Sequence, residues 1–335
     1  MLAIKPDVLK ALNIYHDRLF VVQSVLSEVH SGGVYWLLAP ALFYRNSVIN
    51  LFKEIVINTQ MRPKIFKIAN VQPRARGAVK LSVKATDFGT GIRNLRQSGS
   101  FKAVFPRSRT NGIETVLVNT AGGVTGGDTF ETDICAESKT RLSVTTQAAE
   151  RAYCAQRGEI ALINSRLELR GTARLDWLPQ ETILFNNCAF ERSLRVAMDA
   201  QSTLLLVEAL VFGRTAMGEA LGQCHFKDRI EIVRDGSPLF VDSIMLNGDA
   251  TKHLARPNIA GGAGAMASVI YVSPDADTYL SQVHPLLTDT SGASMIRDQL
   301  LYIRVLANDG FKLRQTLVPI LECLNNSSLP RSWML

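Results

Sequence analysis

Val79-Lys80-Leu81-Ser82-Val83-Lys84 alternates apolar and polar side chains residue by residue. A period of two is that of a strand with one face buried and the other in water, because successive Cβ atoms point to opposite faces. Outward from this stretch, the same texture recurs at residues 115–119, 141–145, 159–169, 194–198, 204–212, 226–233, 239–246 and 300–306. Most of these runs are short and bounded by Gly, Asn, Asp or Pro, which predicts a mainly β domain. Helical spacing arises late, at residues 277–283 and again at 312–324, where Leu313, Leu317, Ile320, Leu321 and Leu324 share a face. Pro319 inside the second helix predicts a kink or break there. No repeat of fixed period is visible, so spacing alone does not support a regular solenoid.

Composition narrows the class of protein. With 335 residues, 47% of them hydrophobic and 20% charged, the chain can bury a full core. The longest apolar run, residues 34–44, is interrupted by Pro40 and falls well short of the roughly 18–20 residues that cross a bilayer. Five cysteines, Cys135, Cys154, Cys188, Cys224 and Cys323, are scattered without a close pair. That pattern argues against a disulfide framework and a structural zinc site, and suits a reducing, cytoplasmic compartment.

Charge is distributed unevenly. Residues 61–110 hold twelve Lys or Arg against one acid, Asp87, whereas residues 111–335 hold twenty bases and twenty-five acids. A basic segment of this kind is compatible with nucleic acid. Its strand-like alternation and few aromatics favour a solvated face or contact with an acidic partner instead. Residues 1–60 differ in texture and read as an N-terminal extension, with Met61-Arg62-Pro63 an alternative start. Residues 61–335 read as a single β domain.

The densest motif is Asn119-Thr120-Ala121-Gly122-Gly123-Val124-Thr125-Gly126-Gly127-Asp128. Two Gly-Gly pairs allow positive φ and close backbone approach. A phosphate cradle would need the Gly-Lys-Ser/Thr ending and a following helix, and here residues 129–134 alternate like a strand. Calcium-binding repeats would need several such units. A tight turn between strands, closed by Asp128 hydrogen-bonded to nearby amides, fits the residues best.

Other segments accompany this loop in a fixed order. They are Phe105-Pro106-Arg107, Thr145-Thr146-Gln147-Ala148-Ala149-Glu150-Arg151-Ala152-Tyr153 and Trp177-Leu178-Pro179-Gln180-Glu181-Thr182-Ile183. Gly213-Arg214-Thr215-Ala216-Met217-Gly218-Glu219 and Leu329-Pro330-Arg331-Ser332-Trp333 complete the set. In sequence and spacing they resemble the urease accessory protein UreD (UreH) family, over roughly residues 73–335. The resemblance implies a mainly β protein, a β-helix-like stack of sheets with a small helical portion near the C-terminus. It implies a non-catalytic scaffold, without a tightly bound cofactor, that works with UreF, the GTPase UreG and the urease apoprotein. In that assembly Ni(II) passes transiently to urease, and the resemblance leaves room for a dimer of the accessory complex.

A transit route for nickel should bind it weakly, with sparse carboxylates and hydroxyls rather than a tight cage. The five histidines are far apart, and Cys224-His225, as strand neighbours, face opposite sides. Four acids match positions that the resemblance associates with a passage: Asp128, Glu150, Glu208 and Asp242. Glu208 and Asp242 also stand out on physical grounds, because each sits in an apolar strand. A carboxylate there needs a cationic partner, solvent or a wet channel. Arg214 and Glu219 are expected to brace a turn, and residues 261–265 are expected to be flexible or closely packed.

Overall fold

The alternation at Val79, Leu81 and Val83 buries all three side chains, and Lys80 and Lys84 face water. In the computed structural model, residues 72–107, 111–326 and 328–334 are described. The expected extension over residues 1–60 and the alternative start at Met61 lie outside the described residues.

β1 (Arg76–Thr86) and β2 (Gly89–Gly99) form an antiparallel hairpin at one edge of a first sheet. β3 (Phe101–Val104) and β4 (Ile113–Asn119) pair antiparallel in a second sheet. The chain then coils between the two. β5 (Thr129–Ala136), β8 (Ala161–Leu169), β11 (Cys188–Met198) and β13 (Cys224–Arg234) enter the first sheet. Between them β6 (Arg141–Thr146), β9 (Arg174–Leu178) and β12 (Thr203–Phe212) enter the second. Two short strands, β7 (Glu150–Ala152) and β10 (Thr182–Leu184), pair in parallel with each other beside β12. β14 (Ser237–Gly248) closes the first sheet antiparallel to β13, and β15 (Ala265–Val272), β16 (Ser291–Arg297) and β17 (Leu300–Ala307) extend the second.

Strands in successive coils run parallel. In the second sheet Ile113 pairs with Leu142, 29 residues on; Leu142 with Leu175, 33 on; and Leu175 with Leu204, 29 on. In the first, Glu131, Asn164, Ser193 and Arg229 stack at intervals of 33, 29 and 36. The architecture is therefore the mainly β, β-helix-like stack that the resemblance implied. Spacing did not support a regular solenoid because the coils are unequal in length, so stacking in space leaves no fixed period in sequence.

Side chains of β12 divide between two cores. Leu204, Leu206 and Leu210 face the first sheet, and Leu205, Val207 and Ala209 face a helical layer. That layer contains α2 (Ala276–Val283) and α3 (Gly310–Asn325); α1 (Ala250–Leu254) follows β14. Of the kink or break expected at Pro319, the break does not occur: α3 continues through it. Gln315, whose carbonyl loses its donor to the proline, and Pro319 both lie on the exposed side. Leu313, Leu317, Ile320, Leu321 and Leu324 anchor the other side.

The basic lead-in is partly neutralised by the body of the domain. Arg74, Lys80 and Arg93 form ion pairs with Glu159, Asp133 and Glu137 respectively.

Candidate functional site: a polar file between two apolar sheets

The glycine loop is a turn, as its residues suggested. Gly123 sits at φ 151°, and a Cβ there would lie 2.7 Å from the Arg151 carbonyl and closer still to the Tyr153 ring. This close approach lets Val124 donate to the Arg151 carbonyl at 2.8 Å and accept from the Tyr153 amide at 2.8 Å. Asp128 is buried, and both its carboxylate oxygens are engaged: Ala75 N–H donates to one at 2.7 Å and Thr125 N–H to the other at 2.9 Å. It fastens the loop to the entry of β1.

Beyond the loop, parallel stacking lines residues into rows across the first sheet. One inward row runs Phe130, Ile163, Arg192, Asp228, Ile244; the next runs Thr132, Ser165, Leu194, Ile230, Asp242. On the facing sheet Glu208, Ser268 and Arg304 are register partners. Polar groups thus follow one another through an interior that is otherwise Leu, Ile, Val and Phe.

At the centre lies a buried ion cluster. Arg192 reaches Glu208 through Nη1 at 2.5 Å and grips Asp228 with Nε at 3.0 Å and Nη2 at 2.6 Å. The same Nη1 donates to Thr182 Oγ1 at 3.2 Å, and Trp177 Nε1–H donates to the other Glu208 oxygen at 2.9 Å. Burial pushes the Glu208 carboxyl up to about 7; Arg192 opposes that rise and the Asp228 charge adds to it. Burial works against the Arg192 charge, but Asp228 and Glu208 together hold its pKa above the usual value. When both carboxylates are ionised, the guanidinium they share leaves the cluster one negative charge in excess.

Glu150 lies toward the glycine loop. Asn119 Nδ2 contacts both of its carboxylate oxygens at 3.2 Å. Burial raises its pKa, Asn119 and Arg151 lower it, and nearby Asp128 raises it further. Glu150 and Glu208 line one small, half-open cavity of about 60 Å³, together with Thr132, Thr146, Ser165 and Thr182. One water needs roughly 10–15 Å³ and two to four polar partners, so this space suits a short file of waters. Asp242 lies at the other end. Arg304 Nη2 donates to it at 2.9 Å and the Tyr302 hydroxyl at 3.1 Å, and Arg304 also contacts that hydroxyl.

The structure therefore places Glu150 and Glu208 on one cavity, Asp128 behind Glu150 in the turn, and Asp242 beyond Ser268 and Arg304. Arg192 and Asp228 were missed in the sequence. Their signal was parity: each is charged at an inward position, within Phe190-Arg192-Leu194-Val196 and Phe226-Asp228-Ile230-Ile232. Cys224 and His225 do face opposite ways. Cys224 is buried against Cys188, and His225 Nε2 meets Glu191 at 3.0 Å. Among the described residues no group of three or more His, Cys, Asp or Glu side chains is arranged to hold a metal ion.

The ordered motifs converge on this interior. Thr146, Glu150, Trp177, Pro179, Gln180 and Thr182, all from two of them, line the cavity. Arg214 Nε donates to Glu219 at 2.7 Å, so that pair braces its turn, and Glu219 accepts from the Asn186 amide at 2.6 Å. The C-terminal segment is a strap. Trp333 Nε1–H donates to the Leu178 carbonyl at 2.9 Å, and Ser332 meets Thr145 at 3.1 Å.

Comparison with known proteins agrees with this assignment of motifs. Residues 75–334 match the family model described as UreD urease accessory protein. The chain is 47% identical over 264 residues to the urease accessory protein UreD of Roseobacter denitrificans, covering 79% of this chain and 96% of that protein. It is 48% identical over 255 residues to the Ruegeria pomeroyi protein of the same name, covering 76% and 99%. To that of Rhizobium rhizogenes it is 41% identical over 270 residues, covering 80% and 98%. The chain belongs to the UreD urease accessory protein family.

Proposed function

We propose that this protein is a non-catalytic scaffold for urease maturation, working with UreF and the GTPase UreG to deliver nickel to the urease apoprotein in the cytoplasm. The observation that carries this reading is the file of carboxylates and hydroxyls through the sandwich, from Glu150 to Glu208 and on to Asp242. Such a file is costly for a fold to keep. A buried carboxylate with one partner removed costs about 3–5 kcal/mol, and apolar residues of similar volume would often be as stable or more so. Retaining it argues for use. Ni(II) accepts carboxylate and water ligands, and a cavity with room for water and spaced acids offers weak, successive coordination rather than a resting place. Asp128 keeps the loop end in shape, and Glu150, Glu208 and Asp242 are the candidate stepping groups. No helix among the described residues is long and apolar enough to cross a membrane.

The test is urease activation in cells that express urease and the other accessory proteins. Without this chain, urease should be inactive and poor in nickel. Glu208→Gln or Asp242→Ala should lower activation while the protein still co-purifies with UreF. Full nickel loading of urease with both variants would rule out the passage.

A further inference from the structure

The polar file is obstructed at its centre by a fixed positive charge, which a cation route should not contain unless that charge can be moved. We propose that Arg192 is a resident counter-ion that keeps the interior route shut, and that a divalent cation advances by displacing its guanidinium from Glu208. The proposal rests on the nickel-passage reading and adds a gate to it.

The contacts of Arg192 are unequal in a way that suits this role. Asp228 receives the flat fork of the guanidinium, Nε at 3.0 Å and Nη2 at 2.6 Å. Glu208 receives only the outer nitrogen, Nη1, at 2.5 Å. A bidentate Arg–carboxylate pair fixes orientation as well as distance, whereas a single contact fixes distance alone. The single Glu208 contact can therefore be given up while the fork stays on Asp228, the guanidinium's main partner. Glu208 would not follow, because Trp177 holds its other oxygen at 2.9 Å. The freed carboxylate belongs to a residue that lines the cavity, as Arg192 and Trp177 also do.

Charge decides which ion can do this. Arg192 already supplies one positive charge to Glu208, so a monovalent ion offers no gain over the group it would replace. A divalent ion brings twice the charge to the same oxygen and repels the guanidinium toward Asp228. A pure obstruction would be better served by an apolar side chain, which would not need two buried carboxylates to neutralise it. The cluster thus acts as a charge filter as well as a plug.

The test is binding of nickel(II) alone to the purified full chain, by equilibrium dialysis with metal content measured. Asp228→Asn is the reference variant, because it leaves Arg192 on Glu208. In R192Q/D228N one charge of each sign is removed, so the net charge of the interior is that of the unaltered chain and Glu208 is unblocked. Nickel should bind at least tenfold tighter to R192Q/D228N than to D228N, and adding E208Q should cancel the gain. R192K, which keeps the charge and loses the fork, should give a smaller gain that also depends on Glu208. Equal affinity in D228N and R192Q/D228N, both folded by circular dichroism, would overturn the gate, as would a gain that survives E208Q. If the double variant does not fold, R192K alone decides: no gain over the unaltered chain overturns the gate. Because this measurement contains no urease, its failure leaves the passage standing. Full urease activation by E208Q together with full activation by D242A would instead remove the passage and the gate with it.

Discussion

Two guanidinium–carboxylate clusters stand on the same polar file, and they differ mainly in how much water reaches them. In the central one, the side chains of Arg192, Glu208 and Asp228 are 9%, 5% and 4% exposed. In the outer one, Arg304 is 32% and Asp242 18% exposed. Similar chemistry has different consequences in the two places. Desolvation makes the central charges depend on one another, so each is costly to lose. Water and salt screen the outer pair, so it contributes little to stability and can rearrange cheaply. On the proposed route, the outer cluster would serve as an adjustable landing and the central one as a switch between two arrangements.

Breaking the central cluster should have the largest effect. Arg192→Ala leaves two buried carboxylates without a counter-ion, and should lower the unfolding free energy in urea by about 3–5 kcal/mol. A loss under about 1 kcal/mol would mean that water reaches the cluster and that the contrast with Asp242 is illusory.

Removing Glu208 is different, because Arg192 and Asp228 remain as a balanced pair. Its expected signature is in pH. The folded pKa of Glu208, about 7, lies above its unfolded value of 4.5, so the folded state holds the extra proton between those two values. Stability contributed by this group is therefore full below about pH 4.5 and falls as pH rises toward 7. The decline amounts to roughly 3 kcal/mol. Glu208→Gln should abolish that decline while keeping the fold, as seen by comparing urea midpoints of the two proteins at pH 5 and pH 7.5. Parallel curves would show that Glu208 stays ionised throughout.

Trp177→Phe keeps the ring and removes the donor to Glu208. One lost hydrogen bond to a charged group costs about 1.5–3 kcal/mol, discounted here because the cavity offers water as a substitute. The measured loss should therefore fall at or below the bottom of that range. The smallest effect belongs to the outer cluster. Asp242→Asn should cost about 1 kcal/mol or less and should be insensitive to added salt once the pair is gone.

Much of the fold was legible because its signal is local. Alternation marked β1 and β13, apolar runs marked β12 and β17, and the leucines around Pro319 marked α3. Pro319 does not break the helix because a lost helical hydrogen bond matters only where water cannot replace it, and exposure is decided by packing. The solenoid-like stacking was illegible for a related reason. Turns of different length are cheap at a surface, since closing a longer loop adds little entropy cost, so coils of 29, 33 and 36 residues stack as well as equal ones would. At the site, Glu208 was legible as an acid among leucines. Asp128 was legible as the close of a turn, and its engagement by two backbone amides shows why it sits there.

By itself, the sequence determined where many of the strands lie and, in alternating strands such as β1 and β13, which parity points inward, because that information is carried by neighbouring side chains. It also determined that charged groups would have to be accommodated inside, since Arg192, Glu208 and Asp228 all occupy inward positions. Tertiary structure alone decided that these three meet. Arg192 and Asp228 become neighbours only because β11 and β13 pair in register, and Glu208 reaches them only across the gap between two sheets. Coulomb attraction and desolvation depend on distance in space and on the surrounding medium, and neither is written in the order of the residues.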